Sequence, residues 1–202
     1  MINQLLNPYI FNPQESQCIT IALSNWNSQK KCIIELKEKL NNHFDFHQQE
    51  KCCFCGLLYD RTGRGEIEHI APKGSELFPQ FSYISNNLAK ACQLCNSSTM
   101  KHTYDSVETV DEIYELCKFK IVHPYLDDHN YHYSWNYGIQ EVLISINNNS
   151  EKAKESIRLF ELNSVKRTRA RAQQRNQEKI NNFFNTSRDI KNRIKAVLKF
   201  KI

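Results

Sequence analysis

Cys52-Cys53-Phe54-Cys55 and Cys92-Gln93-Leu94-Cys95 are two C-x-x-C pairs. Between them runs Glu66-Ile67-Glu68-His69-Ile70-Ala71-Pro72-Lys73-Gly74, and Asn96 directly follows the last cysteine. Two short knuckles of this kind supply four thiolates, which satisfy a tetrahedral Zn²⁺ completely at Zn–S distances of about 2.3 Å. Zn²⁺ at Cys52, Cys55, Cys92 and Cys95 is therefore expected to staple the fold and to leave no open position for chemistry. A reactive metal needs a different ligand, and Glu68 is the candidate.

The chain has 202 residues, 40% of them hydrophobic, which suits one compact domain with helical additions or at most two small domains. Met1 to Phe11 lack a basic start followed by an apolar run, and no window approaches the roughly 18 apolar residues of a membrane span. A soluble, cytoplasmic protein with no membrane partner is expected. Of the eight cysteines, four fall into the knuckles, so the set reads as metal ligands in a reducing compartment and not as a disulfide scaffold. Cys18, Cys32 and Cys117 lie in helix-like apolar patterns and are expected as buried thiols, with Cys53 a neighbour of the first knuckle.

Net charge is +5 and unevenly spread. Residues 1–150 carry 12 Lys+Arg against 17 Asp+Glu, whereas residues 151–202 carry 15 against 5. A helical stretch with that excess reads as a footprint for phosphates, as a docking face for an acidic partner, or as a solvated helix face.

Apolar residues at helical spacing, such as Ile33, Ile34, Leu36, Leu40 and Phe44, predict helices over Pro13 to Ser24 and Ser28 to Phe46. Phe54 to Tyr59, Gly65 to Ile70 and Asn87 to Ala91 have strand character, separated by the turn at Arg61 to Gly65 and a loop from Ala71 to Ser85. A short helix from Cys92, with Asn96 and Lys101 on its exposed side, and another over Ser106 to Phe119 complete a β-β-α reading. A hairpin of Tyr131 to Tyr137 with Ile139 to Ile146, turning at Asn136-Tyr137-Gly138, then precedes helices over Glu151 to Glu161 and Ser164 to Lys199. The organisation expected is α+β: N-terminal helices in 1–50, a zinc-stapled core in 51–148 and basic C-terminal helices in 149–202.

Glu68-His69-Ile70-Ala71-Pro72, then Asn87-Leu88, then Cys92-Gln93-Leu94-Cys95-Asn96, resembles the HNH family of ββα-metal nucleases over residues 52 to 101. The resemblance implies His69 as the general base, Asn87 as the residue that holds the loop of the base, and Asn96 at the final position, where many members have His. It also implies a catalytic Mg²⁺ or Mn²⁺ on Glu68 and Asn96, an oxygen-rich set that suits those ions. The family places a Lys about three residues after that final position. Here Lys101 stands two positions further on, with Lys73 and Lys90 as other phosphate contacts.

The chemistry can be stated independently of the family. Phosphodiester hydrolysis needs an activated water, charge neutralisation at phosphorus and help for the leaving 3′-oxygen. A neutral imidazole whose other nitrogen is held by a backbone carbonyl can activate the water. Successive strand residues point to opposite faces, so Glu68 and His69 can share a cleft only at a bulge or a strand end. Glu66, on the face of Glu68, is read as an exposed acid.

His123-Pro124-Tyr125-Leu126-Asp127-Asp128-His129-Asn130-Tyr131-His132 is rich in metal-ligating types, yet it lacks cysteines and a helical His pair and reads as an aromatic-packed turn. With His132-Tyr133 and Leu159-Phe160-Glu161-Leu162-Asn163, it extends the resemblance to the HNH subunit of Septu and retron-associated anti-phage systems. That likeness implies an ABC-type ATPase partner. Three readings stand: a DNA endonuclease, a zinc-knuckle nucleic-acid-binding or interaction module without activity, and a nuclease active only in a complex.

Overall fold

The computed structural model describes residues 2–59, 63–74, 76–102, 104–135 and 142–199. Among them the architecture is mixed α+β, with three two-stranded antiparallel sheets and five helices.

Helix α1 (Pro13–Ile21) starts where Asn12 and Glu15 form a reciprocal capping box, with Pro13 in the first turn. Helix α2 (Lys31–Gln48) buries Ile33, Leu36, Leu40 and Phe44 along one stripe, and Ile34 stays exposed. Cys18 and Cys32 join the two helices in a disulfide with Cα atoms 6.2 Å apart, so the expectation of free thiols at these positions is corrected. Cys117 is a buried free thiol, as expected.

Strands β1 (Gly65–His69) and β2 (Leu88–Cys92) pair in an unbroken register from Gly65 opposite Cys92 to His69 opposite Leu88. Gly65 has no freedom to be anything larger, because a Cβ there would lie 2.6 Å from Lys90 Cε and 2.9 Å from the Tyr59 ring. Helix α2 docks on this hairpin through Gln48, whose amide accepts from Lys90 N at 2.8 Å and donates to Lys90 O at 2.7 Å. Leu88 and Ile67 join the α1–α2 core, and Ala89, Ala91 and Cys92 join the larger core that runs from Ile2 to Leu162.

Several expected elements differ. Phe54 to Tyr59 makes only a bridge between Lys51 and Leu58. The segment after Cys92 is a series of turns, not a helix, so the α member of the expected β-β-α unit is absent there. Residues 106–119 are not helical either. They form β3 (Val107–Thr109), a single 3₁₀ turn at Tyr114–Leu116 and β4 (Lys118–Phe119). The reason is local: the carboxylates of Asp105 and Asp111 accept from Val107 N and Ile113 N at 3.0 and 2.9 Å, and such turns compete with helix initiation. A one-turn helix α3 (His129–His132) leads into β5 (Tyr133–Trp135), paired with β6 (Ile144–Ile146). The expected turn at Asn136-Tyr137-Gly138 lies outside the described residues. Helix α4 (Glu151–Leu159) is capped by Ser150, and α5 runs Val165–Lys199. Among the described residues, no helix is long and apolar enough to cross a membrane.

The histidine-rich turn is structural. His123 Nδ1 accepts from Tyr125 N and Leu126 N at 3.1 and 3.2 Å, and Asp127 accepts from His123 N at 2.7 Å. Burial holds the pKa of His123 down at about 3 and that of His129 at about 4. Both are neutral in the fold and charged when unfolded below pH 6.5, so the unfolded state binds more protons and stability falls as pH drops from 6.5 toward 4. Each contributes a slope of about 1.4 kcal/mol per pH unit in that window. Denaturant titrations at pH 5 and pH 6 are expected to show a slope shallower by about that amount in His129→Gln than in the unsubstituted protein.

Candidate metal centre and active site

The four knuckle sulfurs of Cys52, Cys55, Cys92 and Cys95 lie within 4.8 Å of one another, and all four residues are buried. Each knuckle is closed by its own backbone, Gly56 N donating to Cys52 O at 2.9 Å and Asn96 N to Cys92 O at 3.0 Å. This donor set can hold a structural metal such as Zn²⁺, for its thiolates are soft, pre-gathered and closed to solvent.

Arg167 on α5, 3% exposed, reaches into the same cluster. Its guanidinium donates to Cys55 Sγ at 3.3 Å and to Cys95 Sγ at 3.2 Å. A divalent ion on four thiolates leaves two negative charges in a low-dielectric interior, and a buried guanidinium offsets part of that cost. One and two turns further along α5, Arg171 donates to Val142 O and Leu162 O, and Gln174 bridges Leu58 N and Gly56 O at 2.9 and 3.1 Å. The first turns of the basic helix are thus packed onto the knuckle. Charge counting missed this, although the i, i+4, i+7 spacing of Arg167, Arg171 and Gln174 is a helical stripe in plain view.

Glu68 and His69 are each 5% exposed. The register through β1 has no bulge, so their side chains leave opposite faces, and His69 is the last residue of the strand. His69 Nε2 lies 3.1 Å from Ser82 O. A carbonyl only accepts, so Nε2 carries the proton and Nδ1 keeps its lone pair. Burial, reinforced by the nearby Lys73 ammonium, pulls the His69 pKa down to about 3, which keeps the ring neutral. The Trp26 indole packs against the ring edge to face at a centroid distance of 4.4 Å.

Asn87, fully buried, clasps the loop that follows His69. Its Oδ1 accepts from Ala71 N at 2.6 Å and Tyr114 Oη at 2.8 Å, while Nδ2 donates to Ala71 O at 3.1 Å and Phe81 O at 2.8 Å. Because Tyr114 donates to Asn87, its oxygen accepts from His123 Nε2 at 2.9 Å. The histidine turn therefore fixes the orientation of the Asn87 amide through one tyrosine, a link that sequence spacing does not carry.

On the other face, Glu68 Oε1 lies 3.4 Å from Lys101 Nζ, and Lys101 is fully buried. Burial pushes Glu68 up to about 7, with Lys101 pulling the other way. Lys101 was expected on an exposed helix face and is instead an interior partner of the acid. Asn96 Nδ2 donates to Glu66 Oε2 at 2.9 Å, so the structure pairs Asn96 with Glu66 and not with Glu68. Glu66, read from sequence as an exposed acid, is half-buried between Asn96 and Arg64. Asn96 therefore does not converge with Glu68, whose near neighbour is the Lys101 ammonium. Lys90, expected at phosphate, is 7% exposed with Nζ 2.7 Å from both Asp45 oxygens, which removes it from that role. Lys73 is half-buried near both Glu68 and His69.

No protein-family model matches the chain, and no curated protein is significantly similar to it.

Three outcomes are expected. The purified protein binds one Zn²⁺ per chain, and Arg167→Ala lowers zinc affinity by roughly 10- to 100-fold, the usual range for a group that supports metal ligands. In hydrogen exchange the same variant, or zinc removal by a chelator, loses protection over residues 165–175, whereas unchanged protection would separate α5 from the metal site. Asn87→Ala strands Ala71 N, Ala71 O and the Tyr114 hydroxyl proton, while Phe81 O keeps Ile84 N; at about 1–3 kcal/mol each before relaxation, a loss of at least about 3 kcal/mol is expected from denaturant midpoints.

Proposed function

We propose that the chain is a metal-dependent endonuclease of the HNH type that hydrolyses phosphodiester bonds of DNA. The observation that carries the reading is the fixed tautomer of His69: Nε2–H on Ser82 O, Nδ1 unprotonated, in a loop clasped by Asn87. In this reading Nδ1 accepts the proton of a water as its oxygen attacks phosphorus, and solvent protonates the departing 3′-oxygen. A neutral imidazole is the form a general base needs, and the pKa of about 3 that burial and Lys73 impose makes it a weaker base than one poised near working pH. Asn87 holds Ala71 and so the turn on which His69 sits, and Lys73 neutralises charge on the phosphate. Glu68 is the residue that would hold a Mg²⁺ or Mn²⁺, which would supply further neutralisation at phosphorus; because Glu68 leaves the other face of β1, the two would have to converge at the strand end, where His69 stands. The likeness to Septu and retron-associated effectors extends the proposal to a role in anti-phage defence beside an ABC-type ATPase.

The second reading, a zinc-knuckle binding or interaction module without activity, is favoured by one observation: Lys101 already neutralises Glu68. Plasmid cleavage by the zinc-loaded chain with Mg²⁺ or Mn²⁺ separates the two. His69→Ala is expected to lower the rate by about 10²- to 10⁴-fold, the usual worth of a general base, with zinc content unchanged and the protein still folded at the assay temperature. Equal cleavage by both forms, or none by the folded wild type with and without an ATPase partner, would sink the nuclease reading.

A further inference from the structure

The N-terminal helices reach the candidate site through a small set of contacts that spacing along the chain does not assign. Trp26 lies in the turn between α1 and α2 and packs on His69 with ring centroids 4.4 Å apart at 88°. Lys37, on α2, sits over the same indole with Nζ 5.0 Å from the ring centroid. Tyr83, next to the Ser82 whose carbonyl holds His69, flanks Trp26 at 5.2 Å. Lys73 enters from the loop after β1, close enough for its ammonium, after burial itself, to disfavour the charged form of Lys37.

Two half-buried lysines therefore stand beside one imidazole, and neither has a carboxylate partner among the described residues. This contrasts with Lys90 and Lys101, which are nearly or fully buried and are each matched to an acid. Glu68 lies close enough to Lys73 to feel its charge but is itself matched to Lys101, so the two lysines repel, and a bound anion relieves the repulsion. The indole face supplies the seat that keeps Lys37 turned toward His69 when no anion is present, since a cation over an aromatic face is held electrostatically.

We propose that Lys37 and Lys73, with Lys37 seated on Trp26, form a phosphate-binding subsite beside His69, and that its ligand is a backbone phosphate of the nucleic acid. The N-terminal helices are then part of the substrate site and not only a cover for the hairpin. The meaning of the subsite as part of a substrate site rests on the nuclease reading, but its charge chemistry can be tested separately.

The test is the salt dependence of binding. A short DNA duplex is titrated onto the zinc-loaded full chain without Mg²⁺ or Mn²⁺, over a series of NaCl concentrations. Removing one cation that neutralises a phosphate is expected to reduce the slope of log K against log[salt] by about 0.9. Lys37→Gln and Lys73→Gln should each show that reduction, the double variant about twice as much, and Lys37→Arg should keep the wild-type slope. Lys31→Gln, on the same helix but paired with Glu35, should change nothing. Unchanged slopes in Lys37→Gln and Lys73→Gln overturn the subsite, as does a reduction of the same size in Lys31→Gln. Failure of the nuclease reading shows instead in cleavage that persists in His69→Ala, an outcome that leaves the slopes unaffected. A slope reduced only in Lys73→Gln removes Lys37 and Trp26 from the proposal.

Discussion

Four cysteine sulfurs within 4.8 Å of one another in a closed interior are the constraint on which the other elements depend. As thiolates they repel strongly where the dielectric is low, and a bound cation, helped by a second positive group nearby, makes the arrangement favourable. Arg167 is that second group, and it comes from 72 residues beyond Cys95. The cluster thereby joins three remote segments: the knuckle after α2, the end of β2 and the start of α5. Because β2 runs into Cys92, opposite Gly65, the register of the hairpin is anchored at the metal end. His69, at the other end of β1, takes its place from that anchor.

The far end of the hairpin is set by a different kind of interaction. Asn87 has both amide atoms committed to the backbone of Ala71 and to Phe81 and Tyr114, in a closed interior where solvent does not replace a missing partner. Such a network is worth more than its separate bonds, since each group left unpaired in the interior carries its full desolvation cost. The link from His123 through Tyr114 to Asn87 gives the histidine-rich turn a part in placing the site, although its residues gather no metal-ligand cluster among the described residues.

Cysteine spacing, the β1–β2 hairpin and the stripe on α2 were legible in the sequence because each depends on local periodicity or on ligand geometry. Residues 106–119 were misread for the opposite reason. Val107, Val110, Ile113, Tyr114 and Cys117 have helical spacing, yet Val110 and Ile113 are exposed, and Asx turns at Asp105 and Asp111 with pairing of Val107 to Phe119 decide the backbone. The Cys18–Cys32 pair was hidden because a bridge depends on how α1 and α2 cross, which periodicity does not specify. The partners of Lys90 and Lys101 are also tertiary: Asp45 is 45 residues from Lys90, and Glu68 approaches Lys101 only through the turns after Cys95.

The same distinction bears on the basic tail. A count of Lys and Arg treats every cation as available to an outside anion, whereas Arg167 and Arg171 are buried and committed to sulfur and carbonyl acceptors. Conversely, the N-terminal region, whose sequence has no basic excess, places Lys37 beside the imidazole without a carboxylate partner among the described residues. Net charge points to the end of the chain as the phosphate-facing surface, whereas the proposed subsite lies at the junction of α2 with the loop after β1. A cation already neutralised in the interior adds little to the field outside, whereas one without a carboxylate partner acts on an anion within a Debye length of roughly 8–10 Å.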